Sequence, residues 1–179
     1  MADVSADSVH QRIPARDILT REAALLTDTV REAGALALSL FRTELKNWTK
    51  GASSPVSEAD IRVNDLLESR LRSATPDYGW LSEESVDDEA RLEKRLVWIV
   101  DPIDGTRGYL AGREDWCVSV ALVEDASPVL AAVFAPASGE FFFAARGRGA
   151  TRTTGLKGRS SRSSGRRRMP GDTGEGRPR

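Results

Sequence analysis

Two carboxylates lie three residues apart where an apolar run ends, in the segment "VWIVDPIDGTRGYL" at residues 97–110. The run stops at Asp101, and Asp104 follows after Pro102 and Ile103. Carboxylates held together at the end of a rigid strand repel each other, and a hard divalent cation such as Mg²⁺, which prefers oxygen ligands, relieves that repulsion. The spacing therefore favours a metal site. The alternative is a simple turn, because aspartate is common in turns.

The residues after Asp104 are suited to binding an anion. Gly105 lets the backbone approach a ligand closely, and the amides of Gly105 and Thr106 begin a predicted short helix, "GTRGYL". A helix N-terminus attracts anions. Metal ions beside such amides would form a phosphate site, in which two metals about 3.5–4 Å apart hold the attacking and leaving oxygens of an in-line displacement.

Further acidic residues occur at a predicted helix start and at a predicted strand end. Asp60 is the fourth residue of "SEAD", where it could serve the site or act only as the partner of a helix cap. Glu83 and Glu84, in "WLSEES", could join the other acids or belong, with Asp87 and Asp88, to an ordinary exposed acidic loop. These alternatives stay open on spacing alone.

Three other residues with reactive or charged side chains have simpler interpretations. Lys50 and Arg107 are of the type that is most often a surface charge. Cys117 alternates with Ser119 and Ala121 on a predicted strand, which favours a buried structural thiol over a nucleophile.

The elements that must position these residues begin with two helices. Residues 17–42 carry apolar side chains that, from Leu26 onward, are mostly three or four positions apart, which is the helical period. The stretch "KGASSPVSEAD" is predicted to be a loop, and a second helix should start near Ser57, where "SEAD" precedes an apolar face. This helix should end before "ATPDYG", because Pro76 and Gly79 mark a turn.

Strands are predicted in the second half of the chain. Their sequences are "GWLSEES", "RLVWIVDP", "WCVSVALVED", "PVLAAVFAP" and "GEFFFAARG". Because "DASP" and "PASG" supply turns between the last three, we expect an antiparallel meander. Two long helices followed by a mainly antiparallel sheet indicate the α+β class. The sheet is predicted to end on "GEFFFAARG", which leaves Phe141, Phe142 and Phe143 at an uncovered edge or face.

Composition is typical of one cytoplasmic domain. The 179 residues, 40% of them hydrophobic, are enough for one sizeable core. Cys117 is the one cysteine, which excludes an internal disulfide framework and favours a reducing, cytoplasmic location. The first residues lack a basic-then-apolar signal pattern, and no apolar run approaches the length of a membrane span.

Charge divides the chain into an acidic body and a basic tail. Residues 1–150 carry 17 Lys and Arg against 25 Asp and Glu, whereas residues 151–179 carry 9 against 2. The tail has almost no apolar residues and is predicted to be disordered, as are residues 1–14. It is either an arm for nucleic acid or a membrane surface, or the out-of-phase translation of a GC-rich gene. The second interpretation is preferred, and it argues against a nucleic-acid partner.

The segment "DPIDGT", preceded by an apolar strand and by "SEES", resembles the inositol monophosphatase family of metal-dependent phosphomonoesterases. Four segments follow in the family's order: "SPVSEAD", "WLSEES", "WIVDPIDGT" and "WCVSVALV". The resemblance covers about residues 15–150. It implies a layered α/β sandwich, of which residues 15–150 would form the N-terminal half of a sugar-phosphatase-like domain.

The resemblance implies a ligand set for Mg²⁺. Glu83, Asp101 and Asp104 match the family's metal carboxylates, and Ile103 matches a ligand that binds through its backbone carbonyl. Glu84 is expected to lie nearby without being a main ligand.

The resemblance also implies catalytic and substrate-binding residues. Thr106 and Asp60 match the pair that orients and deprotonates the attacking water. The amides of Gly105 and Thr106 match those that bind the phosphate, and Glu83 is expected to border the substrate as well.

The member of the family is indicated by two stretches, "DGTRGYLAGREDWCVSVALVED" and "PVLAAVFAP". They are most similar to bacterial 3'(2'),5'-bisphosphate nucleotidases, which remove a phosphate from 3'-phosphoadenosine 5'-phosphate. This implies a Mg²⁺-dependent phosphomonoesterase that acts on a small-molecule substrate through a metal-activated water. Inositol-1-monophosphatase is the alternative, because the two groups share the core motif.

The chain departs from the family's pattern after about residue 150. Family members continue with a second α/β half, whose Trp-Asp motif completes the second metal site, and no Trp-Asp pair occurs in this sequence. We therefore expect a truncated or frameshifted product, for which pairing into a homodimer is one way to cover the sheet. Hypotheses of another class are an inactive fragment and a nucleic-acid-binding module with a basic tail.

Overall fold

The computed structural model describes residues 15–51 and 54–155. Within them the helices are α1 (Ala15–Leu40), α2 (Glu58–Ala74), a short 3₁₀ helix (Glu89–Glu93) and α3 (Thr106–Leu110). The strands are β1 (Asn47–Lys50), β2 (Ser54–Ser57), β3 (Gly79–Ser82), β4 (Leu96–Asp104), β5 (Cys117–Glu124), β6 (Ser127–Ala135), β7 (Glu140–Ala145) and β8 (Gly149–Thr153). The predicted α+β class is confirmed. The predictions of disorder for residues 1–14 and 156–179 lie outside the described residues.

Helix α1 begins and ends two residues earlier than the predicted range of 17–42. Its apolar stripe, including Leu26 and Val30, is buried against α2 and against strands β5 and β6. Gly34 allows this close approach, because a Cβ atom there would lie 2.2 Å from Cδ1 of Phe134 on β6. Among the described residues, no helix is both long and apolar enough to cross a membrane.

Helix α2 begins where the sequence predicts, with Ser57 as its N-cap. Oδ2 of Asp60 accepts a hydrogen bond from the Ser57 amide at 2.8 Å, and the Ser57 hydroxyl accepts one from the Asp60 amide at 3.4 Å. This reciprocal pair is a capping box, which satisfies two amides that the helix itself leaves unpaired. At the other end, Oγ1 of Thr75 accepts a hydrogen bond from the buried Trp98 indole of β4 at 2.9 Å.

The segment before α2 is a β-hairpin, and the prediction of a loop there was wrong. Strands β1 and β2 pair antiparallel, with Trp48 opposite Val56 and Lys50 opposite Ser54. All four residues of β1 are exposed, so its side chains carry no alternation that could reveal a strand. The Lys46 carbonyl accepts a hydrogen bond from the Glu58 amide at 2.8 Å, which fixes the base of the hairpin to the start of α2.

The main sheet has six strands in the order β3-β4-β5-β6-β7-β8. Strand β3 is parallel to β4, and every later neighbour is antiparallel, which confirms the predicted meander. Helices α1 and α2 cover one face, where Trp98, Val118 and Leu122 are fully buried. The opposite face remains open at Ile99 and Phe142, whose side chains are each 40% exposed.

Strand β8 corrects the predicted limit of the fold. Residues 151–153 belong to the sheet, so the basic tail does not begin at residue 151, and β7 is not the edge strand. All five residues of β8 are exposed, and backbone pairing to β7 defines the strand without a buried face. Among the three phenylalanines of β7, Phe141 is buried and Phe142 is exposed, with Arg152 of β8 lying 5.9 Å from the Phe142 ring.

Candidate active site

The parallel pairing of β3 and β4 brings two of the predicted acids together. Ser82 pairs with Val100, and the Glu83 amide donates a hydrogen bond to the Val100 carbonyl at 3.2 Å. Because the two strands are parallel, they run towards the same end of the sheet. Glu83 directly follows β3 and Asp101 lies on β4, so the two residues are neighbours there. Burial is the main cause of the raised pKa of Asp101, and the charge of Glu83 and a hydrogen bond with its side chain act in the same direction.

A bulge in β4 sets the geometry of the two aspartates. Asp101 pairs with Ser119 and Asp104 pairs with Cys117, so β4 advances three residues while β5 advances two. The extra residue bends the strand and re-aims its side chains. The buried side chain of Ile103 anchors this bend in the core.

Three acidic residues act electrostatically on a fourth, Asp101. Burial raises the pKa of Asp101 to about 7, and the nearby carboxylates of Glu83, Asp104 and Asp60 raise it in the same direction. Each of these negative charges makes it harder to ionise the next one. The site is therefore one in which added positive charge would be strongly stabilising.

Asp60 is buried and serves two purposes at once. Its side chain holds the Ser57 cap through Oδ2, and its Oδ1 accepts a hydrogen bond from the Thr106 hydroxyl at 2.9 Å. Oγ1 of Thr106 also lies 3.0 Å from the Ile103 carbonyl, which is an alternative acceptor for the same proton. The two interpretations of Asp60, as a cap partner or as a site residue, are thus compatible, because its two oxygens face different groups.

Gly105 occupies a position that requires glycine. Its φ is +96°, in the left-handed region, and a Cβ atom would lie 2.7 Å from the Asp115 carbonyl oxygen. Helix α3 begins at the next residue, as the sequence predicts, and the Gly105 carbonyl accepts a hydrogen bond from the Tyr109 amide at 3.0 Å. This turn directs Thr106 towards Asp60.

Lys50 is a site neighbour that sequence reasoning missed. Its Nζ contacts the Glu83 carbonyl oxygen and lies 3.7 Å from Oε2 of Glu84. The Glu84 side chain is 8% exposed, and burial raises its pKa above the ordinary range while Lys50 acts in the opposite direction. A lone lysine 33 positions before Glu83 gives no sequence signal for this contact.

The remaining acids of the same loop do not join the site. Asp87 forms an ion pair with Arg91, the Nε–Oδ1 distance being 2.6 Å, and Asp88 caps the 3₁₀ helix through the Ala90 amide. For these two residues the interpretation as an ordinary exposed loop holds.

Cys117 is half-buried beside the site. Its Sγ lies 3.9 Å from Oδ2 of Asp104, and burial, with the charges of Asp104 and Asp101, raises the pKa of the thiol to about 11. The thiol is therefore neutral at neutral pH, which agrees with a structural role and argues against a nucleophile.

The oxygen atoms gathered here suit a hard cation. Carboxylates of Glu83, Asp101 and Asp104 and the Ile103 carbonyl are the ligand types that Mg²⁺ prefers. Within residues 15–51 and 54–155, no group of three or more acidic, histidine or cysteine side chains is arranged so that it could hold a metal ion as it stands. The fit therefore rests on the chemistry of the donors and on the mutual repulsion that a cation would relieve.

A cavity of about 390 Å³ opens beside the acids on the uncovered face of the sheet. Glu83 and Asp101 line one part of it, and Leu81, Ile99 and Ala121 line another. The acidic site is thus continuous with an apolar surface.

Comparison with known proteins gives a consistent result. The model of the inositol monophosphatase family matches residues 19–171. The 3'-phosphoadenosine 5'-phosphate phosphatase of Mycobacterium leprae is 45% identical over 105 residues, which cover 56% of this chain and 36% of that protein. Nus factor SuhB of Xylella fastidiosa is 42% identical over 94 residues, which cover 52% of this chain and 33% of that protein.

A solved structure shares the fold. The extragenic suppressor protein suhB of Bartonella henselae aligns with a TM-score of 0.70 at 29% identity, and the match covers 74% of this chain and 52% of that one. The chain thus spans about a third to a half of the length of the relatives described here.

Proposed function

We propose that this chain, which belongs to the inositol monophosphatase family, supplies the metal- and phosphate-binding residues of a Mg²⁺-dependent phosphomonoesterase. The observation that carries the proposal is the convergence of Glu83, Asp101 and Asp104 beside the hydrogen-bonded pair of Thr106 and Asp60. Three acids at the ends of paired strands and a threonine–aspartate pair are an unusual combination for a purely structural site.

Glu83, Asp101, Asp104 and the Ile103 carbonyl would hold Mg²⁺. When bound, the metal supplies Lewis-acid stabilisation of charge on phosphoryl oxygens and lowers the pKa of a bound water. The chain's own residues keep these ligands in place, since the β4 bulge and the buried Ile103 side chain fix the segment between the two aspartates.

Thr106 and Asp60 would position and deprotonate the attacking water. The Thr106 hydroxyl donates to Oδ1 of Asp60, which leaves lone pairs of Oγ1 free to accept a hydrogen bond from water. As the water attacks phosphorus, its proton moves to Oγ1 of Thr106 while the threonine proton moves to Oδ1 of Asp60. The capping hydrogen bonds from Ser57 hold the Asp60 carboxylate in the required orientation.

The phosphate would lie against the amides of Gly105 and Thr106. Gly105 suits this role because its missing Cβ and left-handed φ keep the turn compact. Glu83, at the exposed end of β3, would border the same substrate.

We propose a 3'(2'),5'-bisphosphate nucleotide, such as 3'-phosphoadenosine 5'-phosphate, as the substrate. Support comes from the phosphatase of Mycobacterium leprae, which bears that substrate in its name and is 45% identical over the matched residues. An inositol monophosphate is the alternative, because the family as a whole is named for it. A cytoplasmic location is supported by the cysteine content, because the one cysteine of the sequence, Cys117, cannot form an internal disulfide.

Binding, rather than turnover, is the decisive measurement for this polypeptide, since it spans about a third to a half of the length of the relatives described above. Calorimetry should show that 3'-phosphoadenosine 5'-phosphate binds in the presence of Mg²⁺ and does not bind when the metal is chelated. Asp104→Asn should abolish this metal-dependent binding. The matched control, Asp125→Asn, alters an exposed aspartate in the β5–β6 turn at the far end of the sheet and should bind normally.

Two results would count against the proposed function. Equal nucleotide binding with and without Mg²⁺ would show that the metal takes no part in nucleotide binding at this site. Tighter binding of inositol 1-phosphate than of the nucleotide would indicate that an inositol monophosphate is the substrate.

A further inference from the structure

Lys50 brings a positive charge to the acidic site from outside the sheet. It is the last residue of β1, and its Nζ contacts the Glu83 carbonyl and lies 3.7 Å from the Glu84 carboxylate. The lysine side chain is 51% exposed, whereas the Glu84 side chain is 8% exposed. One partner of the pair is therefore held by the fold, and the other, which is half-exposed, has solvent beside it into which it can move.

The surroundings of Lys50 allow such movement. A lysine has four rotatable side-chain bonds and a strongly hydrated ammonium group, so it can exchange a weak contact for water at small cost. The next residue, Gly51, has a φ of +60°, and a Cβ there would meet nothing within 4 Å. Among the described residues, none thus packs against Gly51 where a Cβ would lie.

The same hairpin also contacts Asp60, the hydrogen-bonded partner of Thr106. Strand β2 pairs with β1 and ends at Ser57, whose amide and hydroxyl bind the Asp60 carboxylate. Lys50 therefore reaches the acids that follow β3 from a segment that also orients Asp60.

We propose that Lys50 is a tethered counter-ion of the acidic site, whose ammonium group partly neutralises the acids in the metal-free protein and is displaced when Mg²⁺ binds. This inference rests on the proposed function. Its physical basis is that Lys50 lies against Glu84, whose carboxylate interacts with the charges of Glu83 and Asp60, so a divalent cation held by Glu83, Asp101 and Asp104 would compete with Lys50 for the same negative potential and would repel it. Lys50 thereby lowers the affinity of the site for Mg²⁺ and stabilises the protein while the metal is absent.

Lys50→Met tests the proposal because methionine retains the length of the side chain and removes its charge. Calorimetry should show that this variant binds Mg²⁺ about three- to tenfold more tightly than the parent, as expected for removal of one charge near a divalent ion in a partly hydrated site. Thermal unfolding of the metal-free variant should occur about 2–4 °C lower, because Glu84 loses its partner. Lys50→Arg keeps the charge and should behave as the parent in both measurements.

The matched control is Lys94→Met. Lys94 is an exposed lysine two residues before β4, at the opposite end of that strand from Asp101, and its replacement should change neither Mg²⁺ affinity nor the melting temperature. If Lys50→Met fails to fold, Lys50→Gln provides the same loss of charge with a polar side chain.

The outcomes separate the two proposals. Mg²⁺ binding that is lost in Asp101→Asn but unchanged in Lys50→Met would overturn the counter-ion and leave the metal site standing. Weaker Mg²⁺ binding in Lys50→Met would also overturn it, because Lys50 would then support the metal rather than compete with it. Absence of Mg²⁺ binding in the parent would overturn the proposed function and, with it, the displacement of Lys50.

Discussion

The hydroxyl of Thr106 lies 2.9 Å from Oδ1 of Asp60 and joins the starts of two helices that are 46 residues apart in the chain. Asp60 caps α2, and Thr106 is the first residue of α3. Because Asp60 is buried, this hydrogen bond is important both for the stability of the fold and for the proposed chemistry.

Removing the Thr106 hydroxyl should therefore destabilise the protein. Thr106→Val keeps the shape of the side chain and leaves a buried carboxylate oxygen without its donor, which costs about 1–3 kcal/mol. Denaturant unfolding should detect this loss, and Thr106→Ser, which retains the hydroxyl, should recover most of it. Equal stability of the valine variant and the parent would mean that the hydrogen bond contributes little.

Asp101→Asn should weaken Mg²⁺ binding sharply, since it replaces a charged ligand with a neutral one. Asp101 lies next to Glu83 at the end of the parallel strands and near Asp104 beyond the bulge. Calorimetric titration should show at least a tenfold loss of affinity. An unchanged affinity in Asp101→Asn would rule out this residue as a ligand.

The stability of the metal-free protein should fall as the pH rises from about 4 to about 7. The folded-state pKa of Asp101 is about 7, above its usual value of 3.8, so the folded protein holds a proton that the unfolded chain releases. The stabilisation is fully present below pH 3.8 and is lost as the pH passes through 7. Melting curves between pH 4 and 8 should show this decline, and Asp101→Asn should flatten it relative to Asp125→Asn.

The open face of the sheet should promote self-association. Ile99 and Phe142 are each 40% exposed on the face that α1 and α2 do not cover. Exposed apolar patches of this kind commonly mark association surfaces. Sedimentation velocity should reveal concentration-dependent self-association that Ile99→Thr reduces, and a monodisperse monomer at high concentration would show that this face does not drive association.

Much of the fold was predictable because the relevant signals are local. The apolar stripe of α1 follows the helical period, and Ser57 and Asp60 are three positions apart, which is the spacing of a capping box. The strands from β3 to β7 contain alternating or continuous apolar runs bounded by turn residues. Burial of a face leaves a periodic pattern in the sequence, and that pattern is what the predictions used.

Two of the elements that escaped prediction have no buried face. Strands β1 and β8 are exposed along their whole length and form through backbone hydrogen bonds to a neighbour. Backbone pairing places no requirement on side-chain polarity, so neither "NWTK" nor "GATRT" differs from a loop in composition. Their existence depends on the partner strand, which only the tertiary structure supplies.

The candidate site, too, was predictable from the sequence only in part. The order of the acidic motifs and the Gly-Thr turn are visible in the sequence, and they were enough to nominate Glu83, Asp101, Asp104, Thr106 and Asp60. The sequence could not show that the carboxylate of Asp60 accepts hydrogen bonds from both Ser57 and Thr106. It also could not show that Lys50 lies against Glu84. These relationships decide the charge balance of the site, and they join segments that are distant in the chain. Long-range electrostatic contacts leave no periodic trace in a sequence, because their strength depends on distance and burial in the folded state.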